Sequence, residues 1–133
     1  MKIQELRIGN YVEFESHKFI IKDEITFDND EGDWMIDNFL FKEIKPIKLN
    51  EYWLRVFGFE IEFDDPVKHA MLGVNPVNKN FLIKLTNCQF AYNKNYWFYG
   101  NGYFKIKYVH QLQNLYFSLT GTEMKLATAG RRS

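Results

Sequence analysis

Cysteine is nearly missing from this chain: Cys88 is the only thiol among 133 residues. A single cysteine closes no internal disulfide, so nothing calls for an oxidising compartment. Long apolar runs are missing too. The uninterrupted ones are a few residues long, far short of the roughly 20 that cross a bilayer, and Met1-Lys-Ile-Gln-Glu-Leu6 has no signal-peptide core. The expectation is a protein without a membrane partner, in the cytoplasm. Three prolines, no low-complexity tract, no internal repeat and no heptad pattern leave neither a linker nor a coiled coil to account for.

Acidic residues are scarce in one half only. Residues 67–133 carry Glu123 against nine Lys or Arg, whereas residues 1–66 carry sixteen Asp or Glu against eight Lys or Arg. The zero net charge is thus the sum of halves near −8 and +8. Single-sign fields steer partners; opposed halves of one domain also attract each other. Both readings stand at this point.

Catalytic and metal signatures are absent as well. His17, His69 and His110 are far apart, with no Cys–His or helical ligand spacing, so no zinc site is expected. Asp28, Asp30 and Asp33 resemble a calcium loop only until its fifth and sixth positions, which hold Gly32 and Asp33. Phe39 stands where the closing Glu belongs. Gly100-Asn-Gly102 lies between strands, whereas a phosphate cradle opens a helix. Cys88 has no local histidine to activate it. No catalytic residue, metal or cofactor is therefore assigned, and a non-enzyme is expected.

What the chain does have is rings and strand patterning. Aromatics make up 18% and apolar residues 46% of a length that suits one domain with a real core. Tyr11-Val-Glu-Phe-Glu15 alternates as a half-buried strand, Ser16-His17 reads as a turn, and Lys18–Lys22 and Ile25–Phe27 read as further strands. After the acidic turn Asp28–Asp33, Trp34–Phe41 continues the pattern. These strands predict a small SH3-like β-barrel or a curled sheet.

A short central helix follows. Asn50 is its N-cap, Glu51 sits in its first turn, and Gly58 ends it. Residues 64–80 read as loop with one short strand. Phe81–Thr86 reads as a strand, Asn87-Cys88 as a tight turn, Gln89–Tyr92 as the next strand, and Asn93–Asn95 and Gly100–Gly102 as turns. Tyr96–Tyr99 and Tyr103–Lys107 complete an antiparallel meander that runs into a C-terminal helix packed on it. The expected fold is α+β in a single domain, 1–133. Its sub-units are an acidic, β-rich 1–49 and a basic helix–meander–helix 50–125, followed by a tail over 126–133.

Two surfaces stand out as candidates for binding. Strand alternation places Tyr103, Lys105 and Lys107 on one face and Phe104 and Ile106 on the other. Rings interleaved with cations suit single-stranded nucleic acid, since every base has a π-face and every linkage a negative charge. The plainer alternative is a solvated lysine face over core rings. On the C-terminal helix, Tyr108, Val109, Leu112, Leu115, Tyr116 and Leu119 form an apolar stripe. The opposite side carries His110, Gln111, Gln113, Asn114, Phe117 and Ser118 without a single charge. His110, Gln113, Asn114 and Phe117 read either as a recognition patch for a protein partner or as a covered seam whose amides satisfy buried backbone groups.

Three segments carry a resemblance: Glu5-Leu-Arg-Ile-Gly-Asn-Tyr-Val12, Ile44-Lys-Pro-Ile-Lys-Leu-Asn-Glu-Tyr-Trp-Leu-Arg-Val-Phe-Gly-Phe59 and Tyr108-Val-His-Gln-Leu-Gln-Asn-Leu-Tyr-Phe-Ser-Leu-Thr-Gly121. Together they resemble a group of small proteins encoded by Bacteroidetes-type bacteria, their phages and other mobile elements. The resemblance supplies no catalytic residues. It implies a setting, a compact phage or prophage protein in the cytoplasm of a bacterial host. Expected there is an inhibitor of host defence of the anti-CRISPR type, acting on an effector protein and through its guide RNA. The alternatives are a nucleic-acid-binding accessory protein of phage replication or gene expression, and a virion or assembly component.

Overall fold

The computed structural model describes residues 1–22, 24–64, 67–74, 81–88, 96–100 and 104–126. Local sequence accounts for the first hairpins. Strands β1 (Tyr11–Phe14) and β2 (His17–Ile20) pair antiparallel with Phe14 opposite His17, so the turn is Glu15-Ser16, one residue earlier than the alternation suggests. Both turn residues have positive φ, the geometry whose twist matches a two-residue hairpin. The same device joins β4 (Asp33–Ile36) to β5 (Phe39–Leu40) through Asp37-Asn38, and β3 (Ile25–Asp28) pairs on the other side of β4. In the acidic turn between β3 and β4, the Asp28 carboxylate accepts from the amides of Asp30 and Glu31.

These strands form a two-stranded and a three-stranded sheet. Neither closes into a barrel, so the barrel expected for the first half gives way to two separate small sheets. Leu6, Val12, Ile21, Ile36 and Ile44 form the core cluster between them.

Helix α1 (Glu51–Val56) begins where Asn50 predicts, its side chain accepting from the Trp53 amide at 3.0 Å. The chain then builds a five-stranded antiparallel sheet in the order β10-β9-β8-β7-β6. Its strands are β6 (Glu60–Asp64), β7 (Val67–Val74), β8 (Phe81–Cys88), β9 (Trp97–Tyr99) and β10 (Phe104–Ile106). Two expectations are corrected here. The stretch read mainly as loop contains the eight-residue β7, paired with β8 along its whole length. The tight turn expected at Asn87-Cys88 is instead the end of β8: Asn87 is buried and donates to the Tyr96 carbonyl at 2.7 Å, so its amide is used across the sheet. The strand expected over residues 89–92 and the turn at 93–95 lie outside the described residues.

Helix α2 (Val109–Thr120) ends at Gly121, whose φ of 76° closes it in the left-handed conformation. Val109, Leu112 and Leu115 of its apolar stripe are buried with Trp53, Leu54, Phe57, Ile83, Leu85, Trp97 and Ile106 in the larger core cluster. Each such side chain contributes about 1.5–3 kcal/mol by leaving water. Tyr116 packs at the edge of this cluster, and Leu119, past the sheet, is exposed. The fold is α+β, with α1 and α2 on one face of the large sheet. Among the described residues no helix is long and apolar enough to cross a membrane.

Candidate functional site

The charge-poor side of α2 faces the N-terminal segment, not solvent. Gln113 is buried; its amide oxygen accepts from the Tyr11 amide at 2.8 Å and its amide nitrogen donates to the Gly9 carbonyl at 2.9 Å. In effect it pairs with the chain as a neighbouring strand would. Asn114 accepts from Arg7 Nε and Asn10 Nδ2, both at 2.9 Å, and donates to the Glu5 carbonyl at 2.6 Å. Arg7 also pairs with Glu123 and lays its guanidinium 4.3 Å from the centre of the Phe117 ring. Of the two readings of this side, the exposed recognition patch is therefore corrected for His110 and Gln113, which no partner can touch. Of the four residues expected in the patch, Phe117 is exposed, at 38%, and Asn114 is half-buried in the seam.

His110 is fully buried in that seam. Its Nε2 lies 3.1 Å from Glu5 Oε1, and because a carboxylate only accepts, Nε2 carries the proton. Burial pulls the imidazole below its ordinary pKa, against the opposing pull of Glu5. Glu5 is held below the usual carboxylate range, first by the His110 hydrogen bond and then by the Lys2 amide. Nδ1 of His110 is left as a buried acceptor with no donor among the described residues.

The second candidate surface is laid out by strand register. Glu62 pairs with His69, His69 with Thr86, Thr86 with Phe98, and Phe98 with Lys105. One row of side chains thus crosses all five strands on a single face, from a carboxylate on β6 to an ammonium on β10. No described element packs over this outer face: His69, Thr86 and Phe98 are half-buried, and Glu60, Glu62, Lys84 and Lys105 are exposed. The opposite face holds Ala70, Ile83, Leu85, Trp97 and Ile106, all buried beneath the helices.

At the β9–β10 end, the ammonium groups of Lys105 and Lys107 lie 5.7 and 5.4 Å from the centre of the Tyr96 ring. Lys107 is also 5.5 Å from that of Tyr108. These are cation–π distances. Among the described residues neither lysine pairs with a carboxylate. Tyr103, expected with them, lies outside the described residues. Phe104 is half exposed at the strand end, although its alternation matches that of buried Ile106.

Lys105 also lines a cleft of about 340 Å³ with Glu5, Phe104, Gln111, Asn114, Leu115 and Ser118. That cleft brings one member of each predicted surface together. Sequence reasoning placed Tyr96 and Phe98 in a strand without assigning them to the surface. The signal was present in the hairpin, since antiparallel pairing across Gly100–Gly102 sets Phe98 opposite Lys105. It also missed a groove in the first half, where Phe14, Phe19 and Phe39 cluster with ring centres 4.6 and 5.3 Å apart. Comparison with protein-family models, with curated proteins and with solved structures finds no match to this chain.

Proposed function

We propose that this is a non-enzymatic binding protein of a phage or mobile element that inhibits a CRISPR-type host defence effector, reaching its guide RNA through the outer face of β9 and β10. The supporting observation is the arrangement of Lys105 and Lys107 about the Tyr96 ring, next to Phe98 and with no carboxylate paired to them among the described residues. Such ammonium groups attract phosphates, and a ring beside them offers a stacking plane to any base. The phage setting rests on the resemblance of the three quoted segments. The same surface favours a second reading, an accessory protein that binds nucleic acid during phage replication or gene expression.

Expression of the protein in a CRISPR-defended host separates the two. An inhibitor restores phage plaquing and co-purifies with the effector, and Lys105→Ala/Lys107→Ala weakens both. An accessory protein binds single-stranded RNA in a fluorescence anisotropy titration and leaves defence intact. Removing one lysine–phosphate pair lowers the slope of log affinity against log salt by about 0.7 for single strands, so the double variant lowers it by roughly 1.4. Unchanged plaquing together with no anisotropy change at about 50 mM salt, where such pairs are strongest, removes both readings.

A further inference from the structure

The five-stranded sheet carries opposite charge at its two edges, and this bears on which form of nucleic acid its outer face accepts. We infer that the face selects single-stranded nucleic acid and rejects duplex, with Glu60, Glu62 and Asp64 of β6 as the excluding element. The inference deepens the nucleic-acid contact proposed above and rests on it.

The argument is one of spacing. Lys105 and Glu62 are the two ends of one cross-sheet row, with four inter-strand gaps between their strands. At about 4.8 Å per gap, the row spans roughly 19 Å. A single strand whose phosphates follow Lys105 and Lys107 sets its bases over Tyr96 and Phe98, and its charge stays near that distance from β6. The Debye length at 0.15 M salt is about 8 Å, so β6 is screened from it.

A duplex carries a second phosphate strand across a groove about 12 Å wide in B-DNA. Anchored at the same lysines and lying over the sheet, it places those phosphates roughly 7 Å short of the β6 carboxylates, inside one Debye length. Glu60, Glu62 and Asp64 are exposed, alternate onto the same face as Lys105, and have no cationic partner among the described residues. Their charge is therefore directed at whatever lies on that face. Between the two edges, among the described residues, this face carries one lysine, Lys84 on β8, against the three carboxylates of β6, so the acidic side of the face stays in excess where the second strand would lie.

The test uses the full chain and fluorescein-labelled strands of mixed sequence, about 12 nucleotides long, as single-stranded RNA, as single-stranded DNA and as that DNA annealed to its DNA complement, by anisotropy at about 0.15 M salt. The parent protein should bind the single strands at least tenfold more tightly than the B-form duplex. Glu60→Gln/Glu62→Gln/Asp64→Asn should bind the duplex at least fivefold more tightly than the parent does, with single-strand affinity within twofold. Circular dichroism confirms that the variant keeps its fold, and the parent's own preference needs no variant at all. Equal binding of single strand and duplex by the parent overturns the inference and leaves the nucleic-acid contact standing, as does a folded triple variant with an unchanged ratio. Absence of binding to every probe overturns the nucleic-acid contact itself and the inference with it.

Discussion

Replacing Gln113 by Leu keeps nearly the same volume in the seam between α2 and the N-terminal segment and removes both of its hydrogen bonds. The side chain is 1% exposed, so water cannot replace it as partner of the Tyr11 amide and the Gly9 carbonyl. An orphaned buried donor or acceptor costs about 1–3 kcal/mol. Two of them give about 3 kcal/mol after the small gain from a more apolar side chain. That is a large share of the ~5–15 kcal/mol by which a domain is stable.

Urea denaturation followed by tryptophan fluorescence reads the loss directly. With a slope of ~1–3 kcal/mol per molar, the midpoint falls by about 1 M or more. Phe117→Ala is the paired control on the same side of the helix. Its ring is 38% exposed, and its packing against Arg7 contributes about 0.5–1 kcal/mol, so the expected destabilisation is near 1 kcal/mol. A Gln113→Leu protein within ~0.5 kcal/mol of the parent, the range of an ordinary surface substitution, refutes the seam as a structural element.

Two further outcomes follow from the same region. The folded state holds His110 below its ordinary 6.5 and Glu5 below 4.5, so for both groups the unfolded chain binds protons first as pH falls. Stability is then full above pH 6.5, declines below it as the unfolded histidine protonates, and declines again below 4.5. His110→Gln flattens the first decline, whose slope is at most about 1.4 kcal/mol per pH unit; superimposable curves for parent and variant between about pH 7 and 5 refute it. Gly9→Ala forces a side chain onto φ +103° with its Cβ 2.9 Å from the Glu123 carboxyl, against the Arg7–Glu123 pair. Strain of about 1–3 kcal/mol lowers the melting temperature by roughly 3–10 °C in a calorimetric scan, and an unchanged temperature contradicts it.

Elements made by neighbours in sequence were legible. Asn50 and Gly58 mark real helix ends, and the Glu15-Ser16 turn sits within a residue of where alternation places it, whereas the Asp37-Asn38 turn divides the stretch 34–41 that alternation reads as one strand. Strand β7 was not legible: its Lys68, His69 and Gly73 interrupt any apolar pattern, and pairing with β6 and β8 on its two sides holds them extended. The barrel expectation failed for a related reason, since short hairpins read alike whether or not their sheets close.

For the candidate surfaces the division is the same. The sequence alone determined that α2 has an uncharged side, that Lys105 and Lys107 share a face, and that acid and base lie in different halves of the chain. Only the tertiary structure decided that Gln113 and His110 are buried, because the groups that cover them, Gly9, Tyr11 and Glu5, are more than 100 positions away. It alone decided, too, that Glu62 and Lys105 end one row on one face, since that placement is the product of four successive strand registers. A shift of one residue in any of those registers would turn a side chain to the opposite face of the sheet.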